Sequence, residues 1–83
     1  MPKIPRDLSG TDLCRLLGKL GYIIVRQQGS HIRLEADGPK GYHRITIPNH
    51  DSIKIGTLNN VLADVAEALG TDKSTLVERL FSR

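Results

Sequence analysis

The fold of this chain is decided by residues 22–48, which read YIIVRQQGSHIRLEADGPKGYHRITIP. Three short runs, 22–27, 30–36 and 42–48, are rich in β-branched residues or alternate between apolar and polar residues. They are separated by two groups of turn formers, Gln28-Gly29 and Asp37-Gly38-Pro39-Lys40-Gly41. Short runs joined by tight turns are typical of antiparallel hairpins. The stretch therefore predicts three consecutive antiparallel strands, the last of which ends at Pro48.

A helix is predicted before the strands. Leucines at positions 13, 16, 17 and 20 form one apolar stripe with helical spacing. Ser9 is predicted to cap the start of this helix, and Gly21 to end it in the left-handed conformation. An interior glycine is unfavourable in a helix, so Gly18 is expected to let a neighbouring element approach closely.

Helical periodicity returns after the strands. Thr57 is a candidate cap and Gly70 a candidate end for a long helix whose apolar residues share one face: Leu58, Val61, Leu62, Val65, Ala66 and Leu69. Thr71 or Asp72 can cap a last short helix over about 72–81. The predicted order α-β-β-β-α-α is an α+β fold. It is a three-stranded antiparallel sheet with helices on one face and a short C-terminal helix.

Length and composition favour one small domain. The 83 residues allow a single modest core, so residues 1–83 are interpreted as one domain with a core of about 8–69. The net charge is +3, but residues 1–44 carry a net +4 and residues 45–83 a net −1. A single cysteine, Cys14, fits a reducing compartment. The longest apolar run has three residues, so we expect neither a signal peptide nor a membrane span, and a cytoplasmic location.

Alternation within the second strand decides where His31 points. Side chains in a strand point alternately to its two faces, so Ser30, Ile32 and Leu34 share one face and His31, Arg33 and Glu35 the other. Helices can cover only the apolar face. His31 is therefore predicted to lie exposed on an open face, together with Arg33, Arg44 and Thr46. Histidine changes charge near neutral pH, so this position favours acid/base chemistry on an anion.

The predicted pairing of the last two strands depends on the loop between them. If the loop is Asp37 to Lys40, Arg33 lies opposite Arg44, and His31 lies opposite Thr46. Directly opposed like charges are unfavourable in a sheet, and a bound phosphate suits paired guanidinium groups. This register is a hypothesis that the structure can test.

Several strings of the sequence resemble one known family. They are Leu20-Gly21-Tyr22, Arg26-Gln27-Gln28-Gly29-Ser30-His31, Ile47-Pro48-Asn49-His50 and Lys54-Ile55-Gly56-Thr57-Leu58. Together they make residues 8–69 similar to the HicA (YcfA-like) toxins of bacterial toxin-antitoxin systems. The resemblance implies a fold like that of double-stranded-RNA-binding domains and a ribosome-independent mRNA interferase inhibited by a HicB-type antitoxin. The glycine-x-histidine motif of the family falls on Gly29, Ser30 and His31, so it implies that His31 is catalytic.

The resemblance leads to a hypothesis for the mechanism. RNA can be cleaved without a metal when a base removes the proton of its own 2′-OH, and His31 would be that base or the acid. The residues expected to bind RNA or phosphate are Arg26, Arg33, Arg44 and Lys54, while Gly29, Ser30 and His50 are expected to support the site. No metal or cofactor is expected, because the three histidines lack a recognised ligand spacing. His43 is expected to have no chemical role.

Other functional classes remain open from the sequence. The principal alternative is a non-catalytic module that binds double-stranded RNA through phosphates and 2′-OH groups. Such modules usually have lysines at the start of the last helix, where this chain has Thr57-Leu58-Asn59-Asn60. A pure protein-interaction domain is the third class, and it would leave the open face without a purpose. Arg33 and Arg44 could also be no more than a solvated sheet face.

Overall fold

A computed structural model describes residues 4–5 and 7–81 of the chain. The element order is α1 (Gly10–Gly18), β1 (Ile23–Gln28), β2 (His31–Gly38), β3 (Gly41–Pro48), α2 (Ile55–Leu69) and α3 (Lys73–Phe81). The strands form one antiparallel sheet in the order β1-β2-β3. The predicted α+β fold, with a three-stranded sheet and a short C-terminal helix, is confirmed.

The core lies between the sheet and the helices. Alternate residues of β2 and β3 are buried, namely Ile32, Leu34, Ile45 and Ile47. They belong to one cluster with apolar residues of all three helices, which include Leu13, Leu17, Leu58, Leu62, Leu76 and Leu80. Both α1 and α2 contact β3. The edge strand β1 is left exposed along all six of its residues, and Ile23, Ile24 and Val25 are at least 43% exposed.

The register between β2 and β3 differs from the predicted one. Arg33 lies opposite Thr46, and Arg44 lies opposite Glu35, so the predicted Arg33–Arg44 and His31–Thr46 pairs are wrong. The reason is the turn, which contains only Pro39 and Lys40 because the strands pair as far as Gly38 and Gly41. Gly41 has a φ of 107°, which favours glycine. The two-residue shift keeps every side chain on its predicted face.

The helix boundaries also correct three predictions. Ser9 caps α1 as predicted, since its hydroxyl accepts the Asp12 N–H at 3.0 Å. The helix ends at Gly18, three residues before Gly21, although Gly21 has the predicted positive φ, of 100°. Gly18 has open space around the position of a side chain, so it does not serve a close approach. The long helix starts at Ile55 with Lys54 as its cap, two residues before Thr57.

The ends of the last two helices follow the sequence signals. Gly70 ends α2 in the left-handed conformation, as predicted. At the start of α3, the Asp72 carboxyl accepts the Thr75 N–H at 2.6 Å. Hydrogen bonds with the side chain and with the backbone of Thr75 lower the pKa of the Asp72 carboxyl. Among the described residues, no helix is long and apolar enough to cross a membrane.

Candidate active site

His31 lies at the start of the central strand. The chain enters this strand through a two-residue turn, Gly29-Ser30, in which Gly29 adopts a φ of 58°. His31 pairs with Gln28 of β1 on one side and with Pro48 of β3 on the other. Its side chain is exposed, which confirms the predicted orientation. The imidazole is therefore accessible to solvent. It lies at one end of the open face, on the central strand.

Four polar side chains surround His31 in a shallow depression of about 80 Å³. They are Arg26, Gln28, Arg33 and Thr46. The pairing explains this grouping, because Arg33 lies between Arg26 on β1 and Thr46 on β3. Two opposed arginines thus occur beside the histidine, but the partner of Arg33 is Arg26 and not Arg44. Directly opposed guanidinium groups favour an anion such as phosphate between them.

A β-bulge brings Arg26 to this face. The pairing jumps from Ile24 opposite Leu34 to Arg26 opposite Arg33, so that Val25 is the extra residue of β1. Without the extra residue, the side chain of Arg26 would follow Ile24 by two positions and share its face. Because of the bulge, the side chain of Arg26 lies on the same face of the sheet as Arg33. The sequence contains no turn former at this point from which the bulge could be predicted.

The other predicted site residues lie at different distances from the depression. Arg44 is on the same face, one pair along the sheet from Arg33, opposite Glu35. Lys54 caps α2 and does not line the depression. Gly29 and Ser30 form the turn before His31. Ser30 was predicted to point into the core, but it is exposed. Its predicted inward position assumed that the strand began at residue 30.

Two backbone hydrogen bonds hold the surroundings of His31 in place. The Asn49 N–H donates to the Ser30 carbonyl at 2.7 Å, which ties the turn before His31 to the segment after β3. The Gly10 N–H donates to the His50 carbonyl at 2.9 Å. The backbone of His50, which was expected to support the site, thus fixes the loop before α2 to the start of α1.

Sequence reasoning missed two residues of the depression, Gln28 and Thr46, as candidate site residues. Thr46 was placed on the open face by alternation, but without a role. Gln28 was interpreted as part of the turn, whereas β1 extends through it and places it opposite His31. Both side chains offer hydrogen-bonding groups next to a histidine and two cations. Thr46 could have been found from the sequence, because it is two residues from Arg44 and therefore shares its face. Nothing in the sequence indicated where β1 ends, so Gln28 could not have been found.

A second hollow, of about 270 Å³, lies between the turn after β2 and α2. His43, Asp64 and Glu67 are among the residues that line it. Its two carboxylates outnumber its one lysine, Lys40, so the charge of the lining disfavours a phosphate group. The Nδ1 of His43 is already hydrogen-bonded to the hydroxyl of Tyr22, at 2.7 Å. Among the described residues, no three His, Cys, Asp or Glu side chains are grouped so that they could hold a metal ion. The depression at His31 is therefore the better candidate for chemistry on an anion.

Comparison with known proteins assigns most of the chain to a family. The family model described as HicA toxin of bacterial toxin-antitoxin matches residues 10–66. The matched region contains the whole sheet, the depression at His31 and most of α2, while α3 lies outside it. No curated protein and no solved structure matches the chain.

Proposed function

The chain belongs to the HicA toxin family of bacterial toxin-antitoxin systems, and we propose that this toxin is a metal-independent endoribonuclease that cleaves mRNA. The observation that carries the proposal is the depression in which His31 lies exposed beside the opposed Arg26 and Arg33. A titratable imidazole next to two permanent cations suits proton transfer at a phosphodiester. The proposed catalytic residue is His31.

The reaction needs proton transfer and charge stabilisation. Removal of the 2′-OH proton lets that oxygen attack the adjacent phosphorus, and the 5′ oxygen of the next nucleotide leaves and takes up a proton. His31 carries one of these two proton transfers. The two arginines of the depression hold the phosphate and stabilise the additional negative charge of the phosphorane. The products are a 2′,3′-cyclic phosphate and a 5′-hydroxyl end.

Gln28 and Thr46 complete the proposed substrate contacts. Gln28 lies opposite His31, and Thr46 lies opposite Arg33, so both are within the same depression. An amide and a hydroxyl can donate hydrogen bonds to phosphate oxygens and can also orient the imidazole. Arg44, one pair further along the open face, is proposed to hold a neighbouring phosphate.

Substitution of His31 tests the role of the imidazole. His31→Ala is expected to lower the rate of RNA cleavage by about 10²- to 10⁴-fold, because positioned proton transfer contributes that much. The fold should be unchanged, since the side chain is exposed. Cleavage is measured with purified protein in the presence of a chelator, and the ends of the products are identified.

His43→Gln is the matched control, because it removes a histidine on the helix side of the sheet. It is expected to retain cleavage. A substrate with a 2′-deoxy nucleotide before the scissile phosphate should resist the wild-type protein. Cleavage by His31→Ala at the wild-type rate would exclude the proposed role. Binding of RNA with no cleavage by the wild-type protein would instead identify a non-catalytic RNA-binding module.

The toxin family implies a partner antitoxin. We propose that this partner is of the HicB type and that it is encoded beside the toxin. Expression of the toxin alone should arrest growth of a bacterium, and co-expression of the neighbouring gene should restore growth. His31→Ala should not arrest growth, but it should still bind the antitoxin. Growth arrest by His31→Ala would show that the toxicity does not depend on the proposed chemistry.

A further inference from the structure

An exposed tyrosine lies on the same open face as His31, at the other end of the strands. Tyr42 pairs with Asp37, two positions before Arg44 on β3, so its side chain shares the face of Arg44 and Thr46. Its side chain is 60% exposed. His31 and Asp37 are six residues apart on β2, which places Tyr42 about 20 Å from His31 along the sheet. None of the roles proposed above uses this residue.

The hydroxyl of Tyr42 has a carboxylate neighbour on the open face. The hydroxyl of Tyr42 is hydrogen-bonded to Glu35, and this bond raises the pKa of Tyr42. Glu35 lies opposite Arg44 on one side and opposite Ile23 on the other. Ile23 is 64% exposed on the same face. The far end of the face therefore presents an exposed aromatic ring on β3 and an exposed aliphatic side chain on the other edge strand, β1.

Charge divides the open face into two parts. The part at His31 carries Arg26 and Arg33, whereas the part at Tyr42 carries the carboxylates of Glu35 and Asp37. Arg44 lies opposite Glu35, between the two parts. Phosphate groups are therefore attracted to the end at His31 and as far as Arg44, and they are not attracted to the carboxylates beyond it. A neutral, flat group can still occupy the second part, because the ring of Tyr42 offers it a surface for stacking.

We propose that Tyr42 is a stacking platform for an unpaired base of a single-stranded RNA whose scissile phosphate lies at His31. The inference rests on the proposed function and names its substrate class. An extended RNA strand would cross the sheet from the arginines to the tyrosine, with phosphates at the cationic end and one base on the ring. Stacking on an aromatic side chain is available to any base, but it requires that the base is not paired within a duplex.

The test measures RNA binding without cleavage. The His31→Ala protein is the parent, and its affinity for a fluorescently labelled single-stranded RNA is determined by anisotropy. Adding Tyr42→Ala should weaken binding by about 5- to 100-fold, the usual effect of removing one stacking side chain. Tyr42→Phe keeps the ring and should bind like the parent. Ile24→Ala removes another exposed apolar side chain, from the opposite face, and should have no effect.

A scan with abasic nucleotides locates the stacked base. At one position of the RNA, removal of the base should weaken binding to the parent protein but should not weaken binding to the Tyr42→Ala variant. Tyrosine fluorescence gives an independent signal, because the chain has two tyrosines and no tryptophan, and Tyr22 is buried. RNA should quench the fluorescence of the parent and of Ile24→Ala, and quench Tyr42→Phe much less.

The outcomes separate this inference from the proposed function. Equal binding by the parent and Tyr42→Ala would overturn the stacking role and leave the nuclease proposal standing. An equal loss for duplex and single-stranded RNA would also overturn it, because a paired base cannot stack on the ring. A loss of antitoxin binding with unchanged RNA binding would assign Tyr42 to a protein contact. If the parent binds no RNA and the wild type cleaves none, both proposals fail.

Discussion

One side-chain hydrogen bond connects the chain before β1 to the far edge of the sheet. The Tyr22 hydroxyl and the His43 Nδ1 are 2.7 Å apart, and their rings meet at 83° with centroids 5.8 Å apart. Tyr22 is buried, with 3% of its surface exposed. Burial, followed by the negative charge of Asp64, raises the pKa of Tyr22. The residue therefore has a structural role on the face opposite His31.

Tyr22→Phe tests this role through stability. The variant should lose about 1 kcal/mol of unfolding free energy at neutral pH, because His43 loses its partner. Above about pH 10, the usual pKa of a tyrosine, the difference should shrink. The folded protein holds the Tyr22 proton more tightly than the unfolded chain, so this contribution is lost as the pH rises through the raised pKa of Tyr22. Urea unfolding at several pH values measures both effects.

The matched control for this substitution is Tyr42→Phe. Tyr42 is exposed, so loss of its hydroxyl should leave the unfolding midpoint close to that of the wild type. RNA cleavage should be unchanged in Tyr22→Phe, because Tyr22 and His43 lie away from the open face. An unfolding midpoint of Tyr22→Phe equal to that of the wild type at neutral pH would show that the bond contributes no net stability.

At the scale of the elements, two glycines in α1 have opposite roles. Gly10 is buried at the first position of the helix, where an added Cβ would overlap the Pro48 carbonyl oxygen and lie 3.0 Å from the Cα of Asn49. Gly18 is exposed at the last position and has nothing within 4 Å. Close approach of α1 to the segment after β3 thus depends on Gly10, not on Gly18.

The pair predicts opposite effects of the same substitution. Gly10→Ala should destabilise the protein by about 1–3 kcal/mol, because the backbone of Pro48 and Asn49 must shift. Gly18→Ala should stabilise it by up to about 1 kcal/mol, because alanine is the better helix former. Thermal unfolding followed by circular dichroism measures both. A destabilising Gly18→Ala or a neutral Gly10→Ala would contradict this account of the packing.

The elements show how far the sequence alone could predict the structure. Period-two alternation predicted the faces of His31 and Arg33, since a shift by two residues leaves the faces unchanged. It could not predict the partner of Arg33, because Gly38 and Gly41 allow either a two-residue or a four-residue turn. The cap at Ser9 depends on a local side chain and was predictable. The contact of Gly10 with Pro48 joins distant segments, so no local pattern reveals it.

At the scale of the whole molecule, α3 belongs to the same core as the rest of the chain. Leu76, Val77 and Leu80 are buried in the single hydrophobic cluster that also includes the sheet, and α3 packs on α2. The family model ends at residue 66, before this helix begins. We therefore expect residues 1–83 to unfold as one domain, with α3 as an integral part.

Truncation of one side chain tests this expectation. Leu76 is fully buried, so Leu76→Ala should cost about 2–5 kcal/mol, a large share of the stability of a protein of this size. Ser74→Ala, at an exposed position of the same helix, should change the stability by less than about 0.5 kcal/mol. Urea unfolding should give coincident transitions by circular dichroism and by tyrosine fluorescence. An early separate loss of helix signal would show that α3 unfolds independently.

The hydrogen bonds around the turn at Ser30 also have a consequence for synthesis of the chain. His31 is translated early, but the strand beside it and the Asn49 that binds the Ser30 carbonyl come later. The contact of Gly10 with His50 likewise joins an early residue to a late one. A nascent chain that ends before residue 50 lacks the support for its histidine. We therefore expect the surroundings of His31 to take their final form only when both the first helix and the segment after the sheet have left the ribosome.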